Sequence, residues 1–148
     1  MTRDIEPKWK HLKNTAEMLK KASEKKTQYK TRVGEIDLFI FPRVFNPEIF
    51  FSSKWFASEI SKIVKDEKNF MEIGCGTGII SIAVAKLNPT IRVVASDINA
   101  QAVENTLQNI IFHNLQKRVS ACQSDVFENI SKENKFDTIF WAMPFGYL

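Results

Sequence analysis

The chain has 148 residues, of which 44% are hydrophobic and 26% charged, as expected for one soluble globular domain with a buried core. No apolar run approaches the roughly 20 residues of a membrane span, and the polar start of the chain lacks the apolar centre of a signal peptide. Cys75 and Cys122 are too few to form a metal cluster, so we expect free thiols, no metal and a reducing, cytoplasmic location.

Residues 1–30 form a distinct basic segment. They carry nine Lys or Arg residues against four acidic ones, and Trp9, Leu12, Ala16 and Leu19 recur at helical spacing. The pattern predicts a basic helical arm at 1–30, ahead of a main domain at 31–148. Such an arm could contact RNA phosphates, and it could equally be a solvated lysine-rich helix.

Two elements are expected before the central part of the domain. Residues 31–41 alternate apolar and polar side chains around Gly34, which predicts either a small β-hairpin or a strand that covers the core. Residues 50–65 have apolar positions at helical spacing. We expect a helix there, with Ile60, Ile63 and Val64 facing inward.

The most informative stretch is residues 70–78, Phe-Met-Glu-Ile-Gly-Cys-Gly-Thr-Gly. An apolar run stops at Gly74, Gly76 and Gly78, and a helical pattern follows at once. Glycines let the backbone turn tightly and let a ligand approach, and a helix start offers unpaired N–H groups with a partial positive charge. A strand, a glycine turn and a helix start therefore predict a site for a nucleotide-like ligand.

The spacing of the glycines separates this loop from two other kinds. A phosphate-binding P-loop ends in Gly-Lys-Ser/Thr, whereas Ile79 and Ile80 follow Gly78. The dinucleotide fingerprint is G-x-G-x-x-G, and here the third glycine comes one residue early, which argues against an NAD-binding domain. Glu72, two residues before Gly74, would repel a pyrophosphate but could attract an ammonium group.

The stretch Glu72–Gly78 resembles motif I of the class I S-adenosylmethionine-dependent methyltransferases, E/D-x-G-x-G-x-G. The segments 39–47 and 97–105 are similar to the small-domain group, which includes release-factor glutamine and ribosomal RNA guanine-N2 methyltransferases. The resemblance implies an α/β fold with a Rossmann-like sheet and S-adenosyl-L-methionine as the cofactor. It also implies cofactor contacts from the loop, namely Glu72, Gly74, Cys75, Gly76 and Gly78.

A second strand is predicted at Ile91–Ser96, ending at Asp97. The resemblance implies that Asp97 binds both ribose hydroxyls, and it adds Ile98 to the cofactor contacts. From the residues alone, Asp97 could instead be a helix N-cap, a role that Asn99 can fill equally well.

A third strand is predicted at Val119–Gln123, followed by Asp125 and Val126. The resemblance implies that Asp125 meets the adenine amino group and that the apolar neighbour Val126 packs on the ring. Without that context, Asp125 reads equally well as an ordinary loop residue.

A fourth strand is predicted at Phe136–Trp141, and Ala142-Met143-Pro144-Phe145 follows it. Many methyltransferases that act on planar nitrogens carry Asn/Asp-Pro-Pro-Tyr/Phe here, where polar groups accept hydrogen bonds from the substrate NH₂ and the ring stacks on it. The resemblance therefore implies that Pro144 and Phe145 are catalytic residues in the substrate pocket. Ala142 departs from the pattern, since it has no side-chain hydrogen-bond acceptor.

Four core strands precede Leu148, so we expect a sheet that is truncated after the fourth strand and leaves it as an open apolar edge. The expected function is methyl transfer from S-adenosyl-L-methionine to a nitrogen acceptor in protein or RNA. The alternative is a catalytically inactive methyltransferase-fold module or fragment that binds a cofactor, RNA or protein. Ala142 and the short length favour this alternative.

Overall fold

The structure, a computed structural model, describes residues 17, 20 and 25–143. Nine elements lie within these residues in the order ββαβαβαββ. In chain order they are β1 (Tyr29–Val33), β2 (Ile36–Ile40), α1 (Phe51–Ile63), β3 (Asn69–Ile73), α2 (Ile79–Leu87), β4 (Arg92–Asp97), α3 (Ala100–Phe112), β5 (Val119–Gln123) and β6 (Thr138–Trp141). Most of the predicted arm at 1–30 lies outside the described residues, as do Pro144 and Phe145.

Strands β1 and β2 form the predicted hairpin, paired in antiparallel register from Tyr29 with Ile40 to Val33 with Ile36. The turn passes through Gly34, whose φ of +62° lies in the left-handed region. The first strand begins two residues ahead of the expected boundary between arm and domain at residue 31. That division of the chain stays a prediction.

The other four strands form a parallel sheet in the order β5-β4-β3-β6. Helices α2 and α3 connect β3 to β4 and β4 to β5, as parallel pairing requires. Ile73 pairs with both Ser96 and Trp141, so the carboxyl ends of the strands meet at one edge of the sheet. This architecture confirms the predicted α/β, Rossmann-like fold and brings the loops that follow the strands together.

One hydrophobic core joins the sheet, the helices and the hairpin. Its members include buried side chains from β3 and β4, from α2 and α3, and from β2, among them Phe70, Val93, Ile82, Ile110 and Leu38. Burying a side chain of this size contributes about 1.5–3 kcal/mol to stability. The hairpin is therefore part of the domain core rather than an appendage.

Two side chains of α3 fix the hairpin against that core. The Asn109 side-chain oxygen accepts a hydrogen bond from the Phe39 N–H at 2.7 Å, and the Asn105 oxygen accepts one from the Phe41 N–H at 2.8 Å. The side-chain nitrogens of Asn105 and Asn109 both donate to the Phe39 carbonyl, at 2.7 and 2.9 Å respectively. The edge of β2 is thus paired with side chains instead of a further strand.

The helix expected at residues 50–65 is observed at Phe51–Ile63, and one detail of its prediction is wrong. Val64 is buried and Ile60 packs against the core, whereas Ile63 is 68% exposed. Ile60 and Val64 are four residues apart and so lie on one side of the helix, while Ile63 is rotated by roughly 100° from Val64.

Strand β6 is the edge of the parallel sheet within the described residues, where it pairs with β3 alone. Phe140 faces the helices, and the centroid of its ring lies 5.2 Å from that of the Phe56 ring in α1. Ile139 and Trp141 point to the opposite face and are 47% and 41% exposed. Among the described residues, β6 therefore forms an apolar edge of the sheet, as expected.

Gly78 is expected to be the loop glycine least tolerant of a side chain. Its φ is +77°, and an added Cβ would lie 2.8 Å from Thr106 Cγ2. Gly34 has a similar φ of +62°, but there a Cβ would meet only the flexible Lys54 side chain, at 3.6 Å. Gly34→Ala should cost about 1–2 kcal/mol in the free energy of unfolding, and Gly78→Ala clearly more, as measured by urea denaturation. Equal losses would contradict this steric assignment.

Candidate cofactor site

The glycine loop lies between β3 and α2, at the carboxyl edge of the sheet. Gly74, Gly76 and Gly78 all have left-handed φ values, of +73°, +55° and +77°. The N–H groups of Gly74 and Cys75 both donate to the Ser96 carbonyl, at 2.8 and 2.9 Å, which ties the loop to the end of β4. The conformation predicted from the three glycines is therefore present and is fixed by backbone hydrogen bonds.

Glu72 lies beneath this loop and points toward α2. Its side chain is only 2% exposed, and Oε2 accepts hydrogen bonds from the N–H and the hydroxyl of Ser81, at 2.9 and 2.5 Å. Ser81 belongs to the first turn of α2, whose N–H groups have no partner within the helix. Because the N-cap residue Gly78 has no side chain to serve them, Glu72 supplies an acceptor from the neighbouring strand.

Burial raises the pKa of the Glu72 carboxyl from 4.5 to about 8; the hydrogen bonds from Ser81 oppose that rise, and the nearby Asp97 adds to it. The folded protein therefore holds this proton more tightly than the unfolded chain does. The resulting stabilisation is complete below pH 4.5 and is lost as the pH rises through about 8. A cation placed beside the carboxyl would oppose this rise, because it favours the ionised form.

Asp97 ends β4 and stands next to the loop. Its Oδ2 accepts a hydrogen bond from the Gly76 N–H at 2.9 Å, and Oδ1 accepts one from the Asn99 N–H at 2.9 Å. Each carboxylate oxygen has a second acceptor position, so the group can still bind two hydroxyls. The N-cap of α3 is Asn99, whose side chain accepts from the Gln101 N–H. Asp97 is thus not needed as that cap.

The residue after Asp97 and the loop after β5 complete this edge of the sheet. Ile98 is 66% exposed, and its carbonyl accepts a hydrogen bond from the Gln123 side chain at 3.0 Å. Asp125 is exposed, and Val126 has a φ of +47°, which is strained for a β-branched residue. The buried Ser124 hydroxyl stabilises this turn by donating to the Val126 carbonyl at 3.1 Å.

Like Glu72, Cys75 is a predicted contact whose side chain points into the domain. The thiol is buried against α3, where its Sγ lies 3.3 Å from Thr106 Oγ1. Burial raises the pKa of the Cys75 thiol far above its ordinary range. Cys122 is also free, as predicted, and among the described residues no cluster of His, Cys, Asp and Glu could hold a metal ion.

Sequence reasoning assigned no role to the polar side chains that support the loop from below. Thr106 donates a hydrogen bond to the Gly76 carbonyl at 3.0 Å, and the Asn109 amide donates to the Thr77 carbonyl at 2.9 Å. Both side chains are fully buried. The signal was present as polar residues at helical spacing on an otherwise apolar helix face, Asn105, Thr106 and Asn109.

The end of β6 also reaches the loop. The Trp141 indole nitrogen lies 3.7 Å from where a Cβ on Gly74 would be. Ala142 and Met143 follow and are exposed. Pro144 and Phe145, which were predicted to line the substrate pocket, lie outside the described residues, so their role stays a prediction.

No helix among the described residues has the length and the apolar composition that crossing a bilayer requires.

The sequence matches the family model described as "Methyltransferase small domain" over residues 41–146. Ribosomal RNA small subunit methyltransferase C of Haemophilus influenzae is 31% identical over 121 residues, which are 81% of this chain and 35% of that protein. A tRNA1(Val) (adenine(37)-N6)-methyltransferase of a Flavobacteriaceae bacterium is 33% identical over 82 residues, 55% of this chain and 35% of the relative.

A protein of Methanocaldococcus jannaschii named "Putative protein N5-glutamine methyltransferase" is 41% identical over 78 residues, 53% of this chain and 37% of its own length. The chain thus spans about a third of the length of these relatives.

Two solved structures share the fold. The Pyrococcus abyssi tRNA (uracil-54, C5)-methyltransferase, in complex with S-adenosyl-L-homocysteine, superposes with a TM-score of 0.61 at 20% identity, covering 78% of this chain and 27% of that one. TrmK of M. capricolum, in complex with the same compound, gives 0.54 at 21% identity over 57% and 38% of the two chains. Since the family model covers more than two thirds of the sequence, the chain belongs to the methyltransferase small domain family.

Proposed function

We propose that this chain binds S-adenosyl-L-methionine at the carboxyl edge of its sheet, as part of an enzyme that methylates a nitrogen of RNA or protein. The observation that carries the proposal is the hydrogen bond from the Gly76 N–H to Asp97. It joins the glycine loop to a carboxylate that keeps free acceptor positions, an arrangement that suits a nucleoside whose ribose carries two hydroxyls.

The residues at this edge fit the three polar parts of the cofactor. Asp97 would accept hydrogen bonds from the ribose, and the first-turn N–H groups of α2 would bind the carboxylate of the methionine part. Glu72 would become ionised beside the ammonium group. When bound, S-adenosyl-L-methionine supplies a methyl group already activated by its sulfonium. The chain's own residues then hold the two partners in line.

Around that polar centre the edge offers apolar surface for a flat ligand. Two exposed aromatic side chains lie beside the loop, Phe45 next to Gly76 and Trp141 next to Gly74. Two further exposed apolar side chains are close to them in sequence, Ile98 after Asp97 and Met143 after Trp141. Ile98, Asp125 and Val126 would contact the adenine, and Gly74, Cys75 and Gly78 would contribute backbone to the loop.

A planar nitrogen in RNA or protein is the acceptor class supported by the relatives, whose names specify ribosomal RNA, tRNA adenine-N6 and protein N5-glutamine methylation. Pro144 and Phe145 would line its pocket. Contact between RNA and the basic arm at 1–30, and a cytoplasmic location, belong to the same proposal.

A second candidate is a cofactor-binding module without catalytic activity. Ala142, at the end of β6, presents a methyl group where related motifs carry an acceptor of hydrogen bonds from the substrate amino group. Without that acceptor, the nitrogen would rely on backbone carbonyls alone.

Titration calorimetry with S-adenosyl-L-homocysteine tests the cofactor proposal. We expect the chain to bind this compound, and Asp97→Ala to bind it at least about tenfold more weakly, because hydrogen bonds to a charged group contribute roughly 1.5–3 kcal/mol. Asp66→Ala removes an exposed carboxylate that precedes β3, at the opposite end of that strand from the loop, and is the control expected to leave affinity unchanged. Binding of NADH in place of S-adenosyl-L-homocysteine would contradict the proposal.

The raised pKa of Glu72 predicts a pH dependence of that binding. A cationic group beside Glu72 favours its ionised form, so the chain should release protons on binding S-adenosyl-L-homocysteine at pH 7, and affinity should rise as the pH approaches about 8. Calorimetry in buffers of different ionisation enthalpy measures the protons released. Glu72→Gln should abolish this proton release. If the variant releases as many protons as the original chain, Glu72 does not ionise on binding, and its role is confined to the contact with Ser81.

Restoring a hydrogen-bond acceptor at position 142 tests the second candidate. Ala142→Asn should raise the rate of transfer of a labelled methyl group to RNA or protein by about tenfold or more, since one hydrogen bond to the reacting nitrogen is gained. Ala142→Leu introduces a side chain of about the size of asparagine but without a hydrogen-bond acceptor, and it should not raise the rate of transfer. Equal rates for both variants would show that Ala142 is not what limits transfer.

A further inference from the structure

Thr106 is buried where α3 passes beneath the glycine loop. It is fully inaccessible to solvent, and its hydroxyl lies 3.0 Å from the Gly76 carbonyl oxygen and 3.3 Å from Cys75 Sγ. Thr106 is not among the proposed cofactor contacts, because a side chain buried in this way cannot touch a ligand at the open edge of the sheet. Any effect on binding must therefore pass through the loop.

The hydroxyl has one proton to donate, and the carbonyl is the better acceptor because thiol sulfur accepts hydrogen bonds only weakly. The Cys75 thiol stays protonated, since burial raises its pKa, and its S–H can donate to the Thr106 oxygen in turn. The result is a directed chain from Cys75 through Thr106 to the Gly76 carbonyl, in which each donor has an acceptor.

Gly76 is consequently held on both sides. Its carbonyl accepts from Thr106, and its N–H donates to Asp97 Oδ2 at 2.9 Å. With a φ of +55° and no side chain, this residue has little else to fix its conformation. The neighbouring carbonyl of Thr77 accepts from Asn109, so α3 holds two successive peptide groups of the loop.

We propose that Thr106 is a positioning residue for the ribose of the cofactor. Its hydroxyl holds the Gly76 carbonyl and so fixes the backbone of Gly76. The N–H of that residue, in the preceding peptide group, in turn fixes the Asp97 carboxylate that would accept the ribose hydroxyls. This inference rests on the proposed function. It assigns to α3 a role in ligand affinity that is distinct from its place in the core.

Thr106 also has a packing role, which the test must separate from the hydrogen bond. Its methyl carbon is the atom nearest to the place of a Cβ on Gly78. Thr106→Val keeps the size and removes the hydroxyl, whereas Thr106→Ser keeps the hydroxyl and removes the methyl. The two variants therefore separate the effect of the hydrogen bond from the effect of the methyl packing.

The first measurement is the affinity of the 148-residue chain and both variants for S-adenosyl-L-homocysteine, well below their unfolding temperatures. Losing one buried hydrogen bond predicts about fivefold weaker binding by Thr106→Val. Thr106→Ser should bind within about twofold of the original, even where packing loss lowers its unfolding temperature. Should Thr106→Val fail to fold, Thr106→Ala, which leaves a small void instead of a mismatched group, replaces it in the comparison.

The second measurement uses an analogue of the same compound that lacks both ribose hydroxyls. If Thr106 acts through Asp97, Thr106→Val and the original chain should bind this analogue equally, because nothing is left for the carboxylate to accept. If Thr106 instead supports the loop as a whole, Thr106→Val should weaken the binding of both ligands by the same factor.

The outcomes separate the two proposals. Failure of the original chain to bind S-adenosyl-L-homocysteine overturns the proposed function and this inference together. Normal binding by the original chain overturns this inference alone in three cases: if Thr106→Val binds equally well, if Thr106→Ser is as weak as Thr106→Val, or if the penalty persists with the analogue.

Discussion

The hydrogen bonds made by the buried polar side chains of α3 are the constraint on which the proposed cofactor site depends. Asn105, Thr106 and Asn109 are fully buried, and a buried polar group without a partner costs about 1–3 kcal/mol. Their partners are backbone groups of β2 and of the glycine loop. The helix therefore positions the hairpin and the loop relative to each other, and a shift of either would leave these groups unpaired.

The loop combines this support from below with a carboxyl group inside the domain. Glu72 bridges β3 to the first turn of α2 through Ser81, which satisfies one helix N–H group that a glycine N-cap cannot serve. Burial makes the charged form of the carboxyl unfavourable and raises its pKa. Under the proposed function, this acid would ionise when the ammonium group of the cofactor binds beside it.

The remaining features of the edge follow from parallel pairing. Four strands with aligned carboxyl ends bring the glycine loop, Asp97, the turn at Val126 and the end of β6 to one side of the sheet. The strained φ of Val126 is maintained by Ser124, which shows that this turn is shaped at an energetic cost. Such costs concentrate where ligands bind, in agreement with the site proposed for a nucleoside.

The sequence by itself determined the elements and the glycine loop to which the proposed ligand site belongs. Hydrophobic periodicity and the glycine spacing are local properties, so the hairpin, the four strands, the loop and the Asn99 cap were predictable from short windows. Only the tertiary structure decided that Glu72 bonds Ser81, that Cys75 faces inward and that Thr106 supports Gly76. The contact from Thr106 joins residues 30 positions apart, and the outward orientation of Ile63 depends on which neighbours cover α1. Contacts of this kind are set by how helices pack on the sheet, which no local pattern contains.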